Sequence, residues 1–139
     1  MKTPYPPPVS PDLALTMIDR FLIEELGKTQ LKGVVVGLSG GVDSALACAL
    51  AVRALGSDRV LAVKMPYRLS ASESEADADR IIAQLGARSD RIDITPMVDS
   101  YFEGQSDASP LRRGNYMARI RMACLFDLSA RENALVLGT

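Results

Sequence analysis

Ser39-Gly40-Gly41-Val42-Asp43-Ser44 decides the fold, because it follows an apolar β-branched run, residues 33–38, and opens a helix-forming run, residues 45–55. Two adjacent glycines let the backbone turn sharply and bring several N–H groups close to an anion. The helix that follows adds its unpaired first-turn donors and the positive end of its dipole. The stretch therefore predicts a phosphate site at a strand-to-helix junction.

Three side chains of this stretch carry chemistry. The hydroxyls of Ser39 and Ser44 are expected to add donors for the anion. Asp43 is a carboxylate in a site built for anions, and a divalent cation between it and the phosphates would reconcile the two charges. The alternative is that Asp43 only stabilises the first turn of the helix, by about 0.3 to 1 kcal/mol.

The same stretch lacks the GKS or GKT ending of a Walker A loop. No lysine is supplied to the terminal phosphates, so phosphoryl transfer of the kinase or GTPase type is disfavoured. The hexapeptide resembles the SGGxDS loop of the ATP pyrophosphatases, a superfamily that releases pyrophosphate and forms an adenylylated intermediate. This resemblance indicates the superfamily and leaves the substrate open.

Around the motif, short apolar runs alternate with helical patterns. Strands are predicted at about 34–38, 60–64, 91–94 and 134–137, and helices at about 11–27, 45–55, 70–85, 97–102 and 113–131. This order predicts an α/β fold, a doubly wound parallel sheet with helices on both faces. The loops after strands 1, 2 and 4 should then meet at the carboxyl ends of the strands.

Composition bounds the remaining possibilities. The 139 residues are 47% hydrophobic, enough for one domain, and 16 basic against 17 acidic residues give no general attraction to nucleic acid or membranes. Cys48 and Cys124 have no CxxC or histidine partner, so we expect reduced thiols in a cytoplasmic protein rather than a zinc site. No signal peptide or membrane-spanning run is apparent, and the lack of histidine excludes a histidine general base.

The segment 112–122, Arg-Arg-Gly-Asn-Tyr-Met-Ala-Arg-Ile-Arg-Met, resembles the GNxxARxRM motif of the NAD synthetases. Three further segments match that family in the same order, at 65–68 (MPYR), 94–99 (ITPMVD) and 135–139 (LVLGT). The resemblance covers about residues 10–139, and the chain is similar to the ammonia-dependent form or to the synthetase half of a glutamine-dependent form. It implies an adenine nucleotide alpha hydrolase-like fold, truncated here after strand 4.

This resemblance also implies a reaction and its sites. Deamido-NAD would attack the α-phosphorus of ATP, and ammonia would then displace AMP to give NAD. Mg²⁺ would bind Asp43, Arg119 would contact deamido-NAD, and the segment 65–68 would lie beside the adenosine. The implied ATP contacts are Gly37, Leu38, Ser39, Gly40, Gly41, Val42, Asp43, Ser44 and Thr139.

The predicted helix 113–131 is apolar on two sides, which suggests that it lies between its own sheet and a second subunit. We therefore expect a homodimer. Arg119 and Arg121 each need an anionic partner on this helix. Ligand contact and structural ion pairs to Asp127 or Glu132 are both open for Arg121.

The NAD synthetases continue beyond the segment that matches residue 139. Their second magnesium ligand and further deamido-NAD contacts lie in that continuation. Residues 1–139 are therefore expected to be the N-terminal part of a single domain, with 1–10 flexible, that binds ATP but does not make NAD alone. Two alternatives remain: a tRNA-modifying ligase built on the same loop, and a nucleotide-binding fragment without catalysis. Near-neutral charge and the lack of CxxC pairs argue against the first.

Overall fold

The computed structural model describes residues 10–68 and 72–138. Residues 1–9 of the expected flexible N-terminus, residues 70 and 71 of the predicted third helix, and Thr139 lie outside the described residues. The elements are α1 Pro11–Gly27, β1 Gly33–Gly37, α2 Val42–Leu55, β2 Val60–Lys64, α3 Ser72–Leu85, β3 Arg88–Arg91, α4 Thr95–Phe102, α5 Pro110–Glu132 and β4 Ala134–Leu137.

The four strands form one parallel sheet in the order β3-β2-β1-β4. Val35 at the centre of β1 pairs with Leu61 on one side and with Val136 on the other. The chain moves outward from β1 through β2 to β3 and then returns to the opposite side for β4, which confirms the doubly wound sheet. In such a sheet a ligand crevice lies at the carboxyl ends of the strands where the order reverses, here beside β1.

Helices cover both faces of the sheet. Val34 and Val36 pack with Cys48 of α2 and Ala78 of α3, while Val35 packs on the opposite face with Leu128 of α5. Side chains along a strand alternate between faces, so burial on both sides explains why β1 is an uninterrupted apolar run. Helix α4 extends the second face through a cluster centred on Ile94, Val98 and Phe102.

The prediction for the third strand was wrong by three residues. Ile92 and Ile94 resemble strand residues, but the paired strand is the polar Arg88–Arg91 at the edge of the sheet. The two isoleucines follow it in extended chain, and their N–H groups bond the carbonyls of Lys64 at 2.9 Å and Pro66 at 3.0 Å. An edge strand faces solvent along one side, so apolar content is a poor guide to it.

Helix α2 also begins earlier than predicted, at Val42 rather than Ala45, with Gly41 as its N-cap residue. Asp43 and Ser44 therefore lie in the first helical turn, and the loop after β1 is only four residues long. At these helical positions the Asp43 side chain is exposed and the Ser44 side chain is buried.

Candidate functional site

A pocket of about 550 Å³ opens at the carboxyl edge of the sheet. This volume lies within the range of small-molecule sites, about 300–1,000 Å³. The loops that follow β1, β2 and β4 all line it, which confirms that they meet in space, and α3 and α5 form its walls. We call this pocket the crevice; residues from the three loops that line it include Gly37, Leu38, Ser39, Ser44, Met65, Pro66 and Gly138.

The loop after β1 is held in shape by its own hydroxyl groups. Ser44 Oγ accepts from the Ser39 N–H at 3.2 Å and donates to the carbonyl oxygen of Gly41 at 3.0 Å. Ser39 Oγ lies 3.1 Å from Ser44 Oγ and accepts from the Gly41 N–H at 3.3 Å. Ser44 is buried and Ser39 is exposed. Ser44 thus braces the loop from within, and the hydroxyl predicted to bind an anion is already engaged.

Gly40 is the tightest point of the loop. Its φ is +83°, and a Cβ at this position would lie 2.5 Å from the carbonyl oxygen of Ser74 and 2.9 Å from Ser74 Cα. The first turn of α3 therefore lies directly against the loop, and only glycine fits. The sequence predicted a helix start near residue 70 but carried no signal that the first turn of this helix would cover the glycines.

The start of α2 presents groups that suit an anion and a cation together. Its N-cap residue, Gly41, makes no side-chain cap, so the first-turn N–H groups remain for a ligand. Asp43 is exposed in that turn. Among the described residues no three acidic, cysteine or histidine side chains cluster as a metal site. One carboxylate beside phosphates fits Mg²⁺, which keeps several waters and takes few protein ligands.

The two arginines of the GNxxARxRM segment lie in different places. Arg121 is half-buried, lines the crevice and donates from Nε to the carbonyl oxygen of Met65 at 3.0 Å. Burial lowers the pKa of the Arg121 guanidinium from its ordinary value. Arg119 is exposed and lines a separate hollow of about 340 Å³ with Tyr101, Tyr116 and their neighbours.

The structural ion pairs considered for these arginines are not formed. Glu132 is held by Arg88 at 2.5 Å and by Arg131 at 3.0 Å. Within residues 10–68 and 74–138 no ion pair joins Arg119 or Arg121 to Asp127 or to any other acid. That alternative is therefore wrong for the described structure, and both cations are open to a ligand.

The segment after β2 is anchored to α4. Arg68, at a φ of +54°, donates its backbone N–H to Thr95 Oγ1 at 2.7 Å and pairs with Asp99 at 2.9 Å. The hydroxyl of Tyr67 also donates to Asp99, at 2.8 Å. Asp99 and Tyr67 thus fix the crevice wall formed by Met65 and Pro66. Two segments that matched the family separately in the sequence, 65–68 and 94–99, form one structural unit.

Sequence reasoning missed the charges on the α3 side of the crevice. Lys64, at the carboxyl end of β2, is paired with Asp79, and Arg91 binds Glu75 at 2.7 Å. For Lys64, its position at the carboxyl end of a buried strand was the sequence feature that could have indicated a place in the crevice. Both cations are matched by carboxylates, so this wall has little charge left for a ligand.

Comparisons with known proteins agree with this geometry. Residues 14–139 match the sequence model of the family described as NAD synthase. An NH(3)-dependent NAD(+) synthetase of Chlorobium phaeobacteroides is 51% identical over 123 residues, which are 88% of this chain and 44% of that protein. The chain therefore spans about half the length of the curated relatives it matches.

Solved structures give the same answer for the fold. An NH3-dependent NAD synthetase from Campylobacter jejuni, in complex with nitrate, matches at a TM-score of 0.89 and 36% identity over 95% of this chain and 57% of that one. An NMN synthetase from Francisella tularensis matches at 0.86 and 28% identity, covering 95% and 55%. A glutamine-dependent NAD+ synthetase from Acinetobacter baumannii, in complex with ADP, matches at 0.81 and 30% identity, covering 99% and 27%.

Proposed function

Since this chain belongs to the NAD synthase family, we propose that it forms the ATP-binding part of an enzyme that converts deamido-NAD, ammonia and ATP into NAD, AMP and pyrophosphate. The observation that carries this proposal is the loop after β1. Gly37, Leu38, Ser39 and Ser44 line a crevice at the switch point of a doubly wound sheet, and the start of α2 beside them is uncapped. Bound ADP in a structural neighbour also supports a nucleotide at this fold.

The proposed ATP contacts are the backbone and side chains of residues 37–44. Gly40 and Gly41 let their N–H groups approach the β- and γ-phosphates, and the dipole of α2 favours their charge. Asp43 would hold Mg²⁺, which would neutralise phosphate charge as pyrophosphate leaves. Thr139 belongs to the same proposal and lies outside the described residues.

The two proposed chemical steps need little general acid or base catalysis from the protein. A carboxylate oxygen of deamido-NAD bonds to the α-phosphorus while the bond to the pyrophosphate oxygen breaks, giving an acyl adenylate. Ammonia then bonds to the acyl carbon, loses a proton to solvent, and AMP leaves with the electron pair of the C–O bond. Residues 37–44 orient the nucleotide and stabilise the departing pyrophosphate, which is catalysis by positioning and charge.

Arg119 is the proposed contact for deamido-NAD. It lies in the hollow formed with Tyr101, Tyr116 and Asn115, where the two tyrosine rings stack at 4.1 Å. A cation beside stacked aromatic rings suits a nucleotide that carries both a carboxylate and flat rings. The hollow is shallow and open, so a second surface would be needed to enclose such a ligand.

A homodimer through α5 would supply that surface, and we include it in the proposal. Met122 and Phe126 on α5 remain more than half exposed, at 54% and 59% of their surface. Both also line the mouth of the crevice. The apolar second side predicted from the sequence is therefore present on the described helix. Large exposed apolar side chains grouped on one face are typical of an interface.

The remaining parts of the proposal concern the extent and location of the protein. We take residues 1–139 as the N-terminal part of a single catalytic domain in a reducing cytoplasm, where Cys48 and Cys124 stay free thiols. Burial raises the pKa of the Cys48 thiol, as expected of an unreactive side chain. None of the described helices is long and apolar enough to cross a membrane.

The test separates binding from turnover. The 139-residue chain is incubated with Mg·ATP, deamido-NAD and ammonium, and AMP and NAD are measured, while ATP binding is followed by calorimetry. We expect binding without NAD formation, because the relatives are about twice as long as the matched segment. Replacing deamido-NAD by a mononucleotide acceptor tests the resemblance to an NMN synthetase. Failure to bind ATP would contradict the proposed function, and AMP formation with tRNA alone would favour the ligase alternative.

A further inference from the structure

Two cationic side chains among the described residues line the crevice, and they differ in their partners. Lys64 is paired with Asp79. Arg121 is half-buried, and its one side-chain hydrogen bond within the described part of the chain is to a neutral carbonyl, that of Met65. A partly buried cation that lacks an anionic partner is costly unless a ligand supplies the charge. Arg121 is thus the cation of this crevice that remains unmatched.

Arg121 lines the same crevice as Leu38 and Ser39 of the loop after β1. One helical turn further along α5, Leu125 lies over Gly37, where a Cβ would be 3.5 Å from Leu125 Cδ1. The same Cβ would lie 3.3 Å from the terminal carbon of Met65. Arg121 therefore sits on the α5 wall between the ends of β1 and β2, across the crevice from α3.

The hydrogen bonds of the guanidinium fix its orientation. Nε donates to the Met65 carbonyl at 3.0 Å, which uses one of its five N–H groups. The two terminal amino groups retain four donors in a planar fork, the geometry that suits a phosphate. Desolvation lowers the pKa of Arg121, yet an arginine remains charged at every physiological pH. The crevice thus holds an oriented, charged donor set.

We propose that Arg121 binds a phosphate group of the nucleotide in the crevice, with Nε held by Met65 and the two terminal amino groups on the anion. This inference rests on the proposed function and adds a residue to it. In this arrangement the phosphates would be contacted by Arg121 of α5 as well as by the first turn of α2. Arg119 keeps its separate place in the hollow lined by Tyr101 and Tyr116.

The experiment compares adenosine, AMP, ATP and pyrophosphate as ligands of the 139-residue chain, measured by calorimetry in the presence of Mg²⁺. In Arg121→Gln we expect the affinities for ATP and pyrophosphate to fall roughly tenfold to a hundredfold, as for loss of one charged hydrogen bond. The affinity for adenosine should be unchanged. Arg121→Lys keeps the charge and should recover part of the ATP affinity. Arg113→Gln, on the same helix but stacked on Phe102, is the matched control.

Three results would overturn the inference. If Arg121→Gln weakened adenosine as much as ATP, the residue would only position the Met65 segment. If Arg121→Lys were as weak as Arg121→Gln although both unfold like the wild type, charge would not be the cause. Unchanged ATP affinity in Arg121→Gln would exclude the contact. A wild-type chain that binds adenosine but neither ATP nor pyrophosphate would contradict the proposed phosphate site itself, a separate failure.

Discussion

The backbone of Gly40 lies against the backbone of Ser74, so closely that a Cβ on residue 40 would be 2.5 Å from the Ser74 carbonyl oxygen. Residue 40 belongs to the loop after β1, and residue 74 belongs to the first turn of α3. The contact joins the loop that would hold phosphates to the helix that covers it. Any side chain at residue 40 must therefore move one of the two.

Gly40→Ala tests this relationship. The positive φ of +83° adds strain of about 1–3 kcal/mol to the steric overlap, so we expect lower stability and loss of ATP binding. Gly56→Ala is the matched control, because Gly56 also has a positive φ, +90°, but has nothing within 4 Å of its Cβ. Chemical denaturation and calorimetry measure both variants. Equal effects in the two would show that the Ser74 contact is unimportant.

Asp43→Asn tests the magnesium assignment. The substitution keeps the size of the side chain and removes its charge, so Mg²⁺ should no longer strengthen ATP binding, a change of about tenfold or more. Stability should change by less than about 1 kcal/mol, the value of a first-turn acid. Asp12→Asn, in the first turn of α1, is the control for that helix effect. If Mg²⁺-dependent affinity survives in folded Asp43→Asn, Asp43 acts only as a helix-stabilising acid.

A cluster of ion pairs between β3 and the end of α5 predicts that the stability of the fold decreases in acid. Arg131 binds Asp90 at 2.8 Å and Glu132 at 3.0 Å, and these contacts, with Arg88 on Glu132, hold the pKa of each carboxyl below its ordinary value. A carboxyl whose pKa is lower in the folded state than in the unfolded state adds to the free energy of unfolding. This contribution is present above the ordinary pKa, about 4, and is lost as the pH falls through the pKa of the folded state. Unfolding by urea at a series of pH values should therefore show falling stability on acidification.

Arg131→Gln should make that acid slope shallower and lower the stability at neutral pH. Arg80→Gln is the control, since Arg80 pairs with exposed Asp77 on the surface of α3. Similar slopes in wild type and Arg131→Gln would show that other carboxylates dominate the acid transition.

The sequence predicted the elements whose burial is continuous, because those elements leave a pattern. β1 and residues 60–63 of β2 are apolar since both faces of the sheet are covered, and the predicted bounds were close to the observed ones. The half-buried place of Arg121 in the crevice likewise agrees with its position on a helix predicted to be apolar on two sides. Local pattern and tertiary burial coincide at these residues.

Other features arise only when distant segments meet. The strand Arg88–Arg91 is polar because it lies at the edge, so its composition resembles a loop. The contacts of Ser74 with Gly40 and of Asp99 with Arg68 join residues about thirty positions apart. Neither partner carries a local signal of the other, and such contacts need the assembled sheet.

The homodimer is tested through its exposed side chains. Sedimentation velocity at micromolar concentration should show a dimer for the wild type and a monomer for Phe126→Glu, because a charge in an apolar interface is costly to desolvate. Phe21→Glu on α1 is the matched control, since Phe21 is as exposed as Phe126, at 59%, but lies on a different helix. A wild-type chain that sediments as a monomer throughout would contradict the proposal.

Residues 37–44 are proposed to bind phosphate through their backbone N–H groups, and an amide-resolved NMR titration observes those groups one by one. Mg·pyrophosphate is added to the isotopically labelled 139-residue chain, and the shift of every backbone N–H signal is followed. We predict the largest changes at Ser39, Gly40, Gly41 and the first turn of α2, saturating with added ligand. Changes confined to the hollow around Arg119, or no saturable change in the loop, would contradict the account.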